Sequence, residues 1–165
     1  MEAIQRSLKR YSKVLSHSNS PTNWYTYSKS KDEFGYTLPT TAYYDKDDKL
    51  KSFWWTKNGK THRDELDENG RVLPAIIISN GTQYWYKNGQ PHRDDLDENG
   101  RVLPAYINSN GDLYWYRNGK QHRDDLDENG RVLPAYINSD GEQEWYVNDK
   151  RHRDDLDEKG KVLLN

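Results

Sequence analysis

The sequence predicts an all-β protein: antiparallel β-hairpin or meander units of 30 residues forming an elongated ribbon or coiled sheet, preceded by an N-terminal α-helical cap. Three observations lead there. His62, His92, His122 and His152 fall in step at intervals of 30, as do Trp55, Trp85, Trp115 and Trp145. Such a period marks a unit that buries its apolar side by stacking on its neighbours. Each regular unit also carries three turn signals, for example Asn80-Gly81, Asn88-Gly89 and Asn99-Gly100. Asn-Gly between short aromatic and β-branched runs signals a hairpin, because a type I′ turn needs positive φ at both central positions. Finally, the chain is 32% charged and 13% aromatic. It is too polar for a thick aliphatic core and too aromatic for disorder, which leaves a thin sheet.

Taken in order, residues 1–20 divide into an amphipathic helix and a linker, with Ile4, Leu8, Tyr11 and Leu15 at helical spacing over residues 2–16. A helix there is expected to cover one end of the stack. Its bases Arg6, Lys9, Arg10 and Lys13, against the single acid Glu2, make contact with an anionic membrane the competing expectation. Residues 21–165 form the β-domain. Within it, 22–57 is a degenerate first unit in which Asp32 to Pro39 aligns with Asp67 to Pro74, and regular units follow to residue 162. Each regular unit holds three strands, near Leu73 to Ile78, Thr82 to Lys87 and Gln90 to Arg93. If both connecting turns are two-residue loops, Lys87 faces Gln90 and Trp85 faces His92, with Tyr84 facing Arg93 on the other side. The same loops would set Ile76 beside Trp85 and Ile77 beside Tyr84.

This register defines the candidate site residues. Trp55 is expected to pair with His62, Trp85 with His92, Trp115 with His122 and Trp145 with His152. On the reverse face Trp54, Tyr84 and Tyr114 would stack on Arg63, Arg93 and Arg123, and Glu144 would pair with Arg153. The strand from Gln90 should end near Asp94, because further pairing would set acids against acids.

The run Trp-Tyr-x-Asn-Gly, then His-Arg-Asp, then Leu-Pro-Ala-x-Ile resembles the divergent MORN-type repeats found in large DNA viruses and some bacteria, over roughly residues 24–164. The resemblance implies hairpin ribbons that serve as scaffolds, protein-binding or membrane-associating modules and bring no catalytic residues. This chain departs from the common MORN unit in its length, in lacking a Gly-x-Gly core and in an added Asp-Glu-Asn-Gly-Arg-Val turn. If the protein is viral, the resemblance implies a place in the host cytoplasm or the virion.

Other motifs point to chemistry. His62-Arg63-Asp64 through Asn69 fits a kinase catalytic-loop pattern, as do the segments from His92 and His122, but a kinase needs one such loop together with a Gly-rich lid, a strand lysine and a metal-binding Asp-Phe-Gly. No enzyme is expected. Asp95, Asp97 and Asn99, followed by Gly100, match the first half of a calcium loop, and so do Asp125, Asp127 and Asn129. The bidentate acid falls on Tyr106 or Tyr136, so an acidic turn held by its own side chains is the stronger expectation and a calcium-stabilised module the alternative. A second alternative is an aromatic platform for a ligand. Each Arg sits beside acids, which argues against nucleic acid. With no cysteine, a disulfide framework is excluded, and without a long apolar run an intracellular place is expected. No cofactor is expected. The expected function is a structural or protein-interaction scaffold whose partner is a protein, with self-association through the strand edge at Val162-Leu163-Leu164 as a further expectation.

Overall fold

The computed structural model of the chain describes residues 23–25 (backbone only), 31, 35–47 and 49–152. The expected helix over 2–16, Arg153 and the edge at 162–164 lie outside the described residues. Among those described there are strands and turns and no helix. The strands are β1 (Asn23–Tyr25), β2 (Thr41–Tyr44), β3 (Leu50–Trp54), β4 (Thr56–Lys57), β5 (Lys60–Thr61), β6 (Ile76–Ile78), β7 (Gln83–Tyr84), β8 (Tyr86–Lys87), β9 (Gln90–Pro91), β10 (Tyr106–Ile107), β11 (Leu113–Tyr114), β12 (Tyr116–Arg117), β13 (Lys120–Gln121), β14 (Tyr136–Ile137), β15 (Gln143–Val147) and β16 (Lys150–His152). One ten-stranded antiparallel sheet runs β1-β2-β3-β6-β7-β10-β11-β14-β15-β16, and three small hairpins, β4-β5, β8-β9 and β12-β13, stand beside it. The periods around Trp55, Trp85 and Trp115 each supply one hairpin to the sheet and one beyond it, with the tryptophan where the chain passes between them; in the last period β15 runs unbroken through Trp145 and pairs with β16.

The two kinds of turn differ, and the difference sets the register. At Asn88-Gly89 both residues have positive φ, 54° and 86°, as a two-residue type I′ turn requires. Lys87 accordingly faces Gln90 and Tyr86 faces Pro91. At Asn80-Gly81 only the glycine has positive φ. The Gly81 amide donates to the Ile78 carbonyl, and the Ile78 amide to the Thr82 carbonyl. The loop is therefore three residues, Ser79 to Gly81, with the Asn80 side chain accepting from the Thr82 amide. The extra residue corrects the expected pairing by one: Ile76 faces Tyr84 and Ile77 faces Gln83. A shift of one exchanges the faces of a strand.

The consequence is a row of tyrosines across one face. Tyr84, Tyr106, Tyr114 and Tyr136 occupy successive paired positions. Their ring centroids lie 4.3, 4.7 and 4.6 Å apart, with interplanar angles of 6°, 17° and 34°. These separations match the strand spacing of roughly 4.8 Å, so the ladder itself holds the rings in stacks worth about 0.5–1.5 kcal/mol a pair beyond their burial. The opposite face carries Ala42, Phe53, Ile77 and Trp55 in a buried cluster, with Tyr44 and Leu50 against it.

The tyrosine row makes a prediction for alkaline pH. Burial, and next the hydrogen bond with the Tyr84 hydroxyl, push the Tyr106 phenol up to about 12, and burial with Tyr136 raises Tyr114 as well. A phenol held neutral in the fold contributes stability that is complete below its unfolded value near 10 and is lost as pH rises towards the folded one. Urea midpoints should fall between about pH 10 and 12, and tyrosinate absorbance should lag behind that of the unfolded chain. Replacing Tyr106 with Phe should weaken this dependence.

Candidate functional site

The candidate residues gather at the junctions between successive 30-residue units, and each junction is built on a tryptophan. Trp85 is 5% exposed, Trp115 5% and Trp55 3%. The Trp85 amide donates to the Ala105 carbonyl of the next unit, and its carbonyl accepts from the His92 amide across the small hairpin. Its indole N–H donates to the Val72 carbonyl of the preceding turn at 2.7 Å. Trp115 repeats these bonds with Ala135, His122 and Val102. The indole of Trp145 reaches Val132, and that of Trp55 reaches Thr37. Thr37 thus takes the valine position in the divergent first unit.

The backbone register across the small hairpin is Trp85 opposite His92 and Trp145 opposite His152. The arginines differ from expectation. Arg93 lies over Trp85, with its guanidinium carbon 3.9 Å from the ring centroid, and not over Tyr84. Arg123 lies over Trp115 and not over Tyr114, and Arg63 over Trp55 and not over Trp54. Two facts account for this. The face of Tyr84 is occupied by Tyr106, and an indole is the stronger partner for a cation. Glu144 pairs with Arg151 at 3.1 Å.

Burying a guanidinium is costly unless its charge and donors are satisfied. Arg93 Nε donates to Asp95 at 2.8 Å and Nη1 to the Pro104 carbonyl at 3.2 Å. Arg123 does the same with Asp125 and Pro134. Burial pulls both arginines below the ordinary guanidinium value, and the aspartates act against it. Each carboxylate also reaches across the junction: Asp95 accepts from the Val72 amide with its other oxygen, and Asp125 accepts from the Val102 amide with the oxygen that also holds Arg123. In the first junction Glu65 holds Arg63 and accepts from the Thr37 amide and hydroxyl.

The histidines fasten the small hairpins to one another. His92 Nδ1 accepts from the Asn118 amide in the next unit at 3.0 Å, as His62 does from Asn88 and His122 from Asn148. That acceptor role assigns the ring proton to Nε2, which lies 2.7 Å from Asp94 in His92. The corresponding separations are longer for His62 to Asp64 and His122 to Asp124, 3.4 and 3.3 Å. Asp64, Asp94 and Asp124 also take Lys57, Lys87 and Arg117. In each kinase-like segment the His and the Asp thus lie beside each other, with a basic side chain of the same small hairpin on the carboxylate.

Of the calcium candidates, the four aspartates already accept hydrogen bonds. Asp97 Oδ1 accepts from the Asn99 and Arg101 amides, and Asp127 Oδ1 from Asn129 and Arg131. Asp95 and Asp125 face their arginines. Among the described residues no three His, Asp or Glu side chains gather to hold a metal ion. A cleft of about 160 Å³ opens at the junction of Arg63, Trp85 and Lys87, and one of about 50 Å³ at that of Arg93, Trp115 and Arg117. Both fall short of the roughly 300–1,000 Å³ of small-molecule pockets.

The sequence reading missed three residues of this site. Ala75, Ala105 and Ala135 are 0–1% exposed, and each passes a hydrogen bond between the tryptophan of one unit and the strand of the next. Their recurrence after proline in three successive units was the available signal, since a position that takes a methyl group each time has little space around it.

Two predictions follow from the site. Trp115→Ala removes the face under Arg123 and should cost about 3–5 kcal/mol in urea unfolding. Melting like the parent would contradict the buried placement. For acid, the Arg101 amide and then Asn99 hold the Asp97 carboxyl below the usual carboxylate range, and Arg131 and Asn129 do so for Asp127. Depressed values give stability that is present above an unfolded value of about 3.9 and is lost as pH falls through the folded values. The urea midpoint should therefore drop below about pH 4, less steeply in Asp97→Asn.

No family model matches the chain, no curated protein matches it, and no solved structure matches it.

Proposed function

We propose that the protein is a non-catalytic scaffold that engages another protein along its acidic turns and exposed strand surface. The observation that carries this reading is where the reactive-looking side chains are spent. At three successive junctions the histidine and the acid, Glu65, Asp95 or Asp125, bond to a neighbouring unit, and the arginine is held by that acid, at 30-residue intervals. A catalytic centre needs an asymmetric constellation around a pocket. Three near-equivalent junctions instead repeat one surface at a fixed pitch, which suits multipoint contact. The resemblance to MORN-type repeats agrees with this reading, and so does the intracellular place expected from the sequence.

The alternatives draw less support. Asp97 and Asp127 each give one carboxylate oxygen to two backbone amides, Asp95 and Asp125 hold arginines, and among the described residues no cluster for a metal ion forms. A flat ligand would have to separate tyrosine faces stacked on each other. Melting with millimolar calcium and then with chelator tests the reading against its first rival. The scaffold reading expects the same midpoint in both. A rise with calcium that chelator reverses would replace it with a calcium-stabilised module, because a ligand that binds only the native state raises its apparent stability.

A further inference from the structure

The acidic turns carry a feature that the junctions do not use. Leu66, Leu96 and Leu126 are 50%, 51% and 52% exposed, although most large apolar side chains described are turned inward. Each leucine is fixed by an antiparallel bridge, to Val72, Val102 and Val132 respectively, so all three have the same local backbone setting. Successive units are two strands apart in the sheet, which spaces the leucines at roughly 10 Å. The ridge is acidic: from Arg63 to Arg71, Arg93 to Arg101 and Arg123 to Arg131, each turn has four acids against two arginines, and Glu68, Glu98 and Glu128 are exposed.

We propose that residues 2–16 of the same chain dock along this leucine ridge as an amphipathic helix. Three features select that occupant. Its apolar residues fall in pairs seven apart, Ile4 with Tyr11 and Leu8 with Leu15; seven helical residues rise roughly 10.5 Å, which matches the pitch of the leucines. The fifteen residues would extend roughly 22 Å as a helix, about the span from Leu66 to Leu126. The charges are complementary as well, with Arg6, Lys9, Arg10 and Lys13 against Glu2 on the segment and an excess of acid on every turn of the ridge. Residues 17–22 can bridge up to roughly 20 Å between the segment and β1.

Hydrogen exchange read by mass spectrometry on the full chain tests this. Amides of residues 5–16 should exchange at least about tenfold more slowly than in an unstructured peptide, and Leu96→Asp should abolish that protection while the strands keep theirs. Leu96→Met should retain it. Should Leu96→Asp also loosen the strands, Arg10→Glu in the segment itself takes its place and should weaken the protection in the same way. Three results would overturn the proposal: no protection in the parent, protection indifferent to both substitutions, or protection that grows with protein concentration or requires anionic vesicles. In the last case the occupant is a second copy or a lipid surface.

Discussion

A shortage of aliphatic side chains governs this structure. With mean hydropathy at −1.27, the sheet cannot be closed with leucine and valine, so the faces of Trp55, Trp85 and Trp115 are covered by arginines. Everything else at the junction follows from that choice. A buried guanidinium needs an acid and a carbonyl, which Asp95 and Pro104 supply for Arg93. Once buried, the acid needs a donor for its second oxygen, and the Val72 amide of the preceding unit provides it. Desolvated polar groups are costly when unpaired, and the chain meets that demand with near partners for the arginine, 2 and 11 residues on, and with an amide of the preceding unit for the acid. Cohesion between units is therefore directional, and the arginine, its acid and its carbonyl must arrive together.

The first unit shows what can change while this arrangement persists. Thr37 stands in for valine and uses its amide and hydroxyl on Glu65, while its carbonyl still takes the Trp55 indole. Beside it Phe53, Ile77 and Ala42 form the most apolar part of the sheet. Towards the other end the matching positions are Leu113, Ile137 and Gln143, and their burial declines. The junction contacts recur while the face around them drifts from apolar to polar.

Much of the local structure was legible in the residues. Asn88-Gly89 announced a two-residue turn, and that turn places Lys87 against Gln90 and Trp85 against His92. Asn80-Gly81 is the same dipeptide, yet it closes a three-residue loop, because Asn80 turns its side chain to the Thr82 amide and only Gly81 takes positive φ. Dipeptide identity could not separate the two cases, and the one-residue difference moved the tyrosines into one row. Contacts between units were harder to read. The choice of Arg93 between Tyr84 and Trp85 depends on Tyr106 from the following unit already covering the phenol, and the acceptor role of His92 depends on where Asn118 falls. Such choices rest on residues 22 to 26 positions away, beyond the reach of a local pattern.

The most direct measurement of the central claim is the nuclear magnetic resonance environment of Arg123. A guanidinium stacked over an indole places its δ and ε protons in the shielding cone of the ring. Upfield-shifted Arg123 side-chain signals, with cross-relaxation to the Trp115 indole protons, are the expected result. Arg123 shifts typical of a solvated side chain, without contact to Trp115, would contradict the account of how the units hold together.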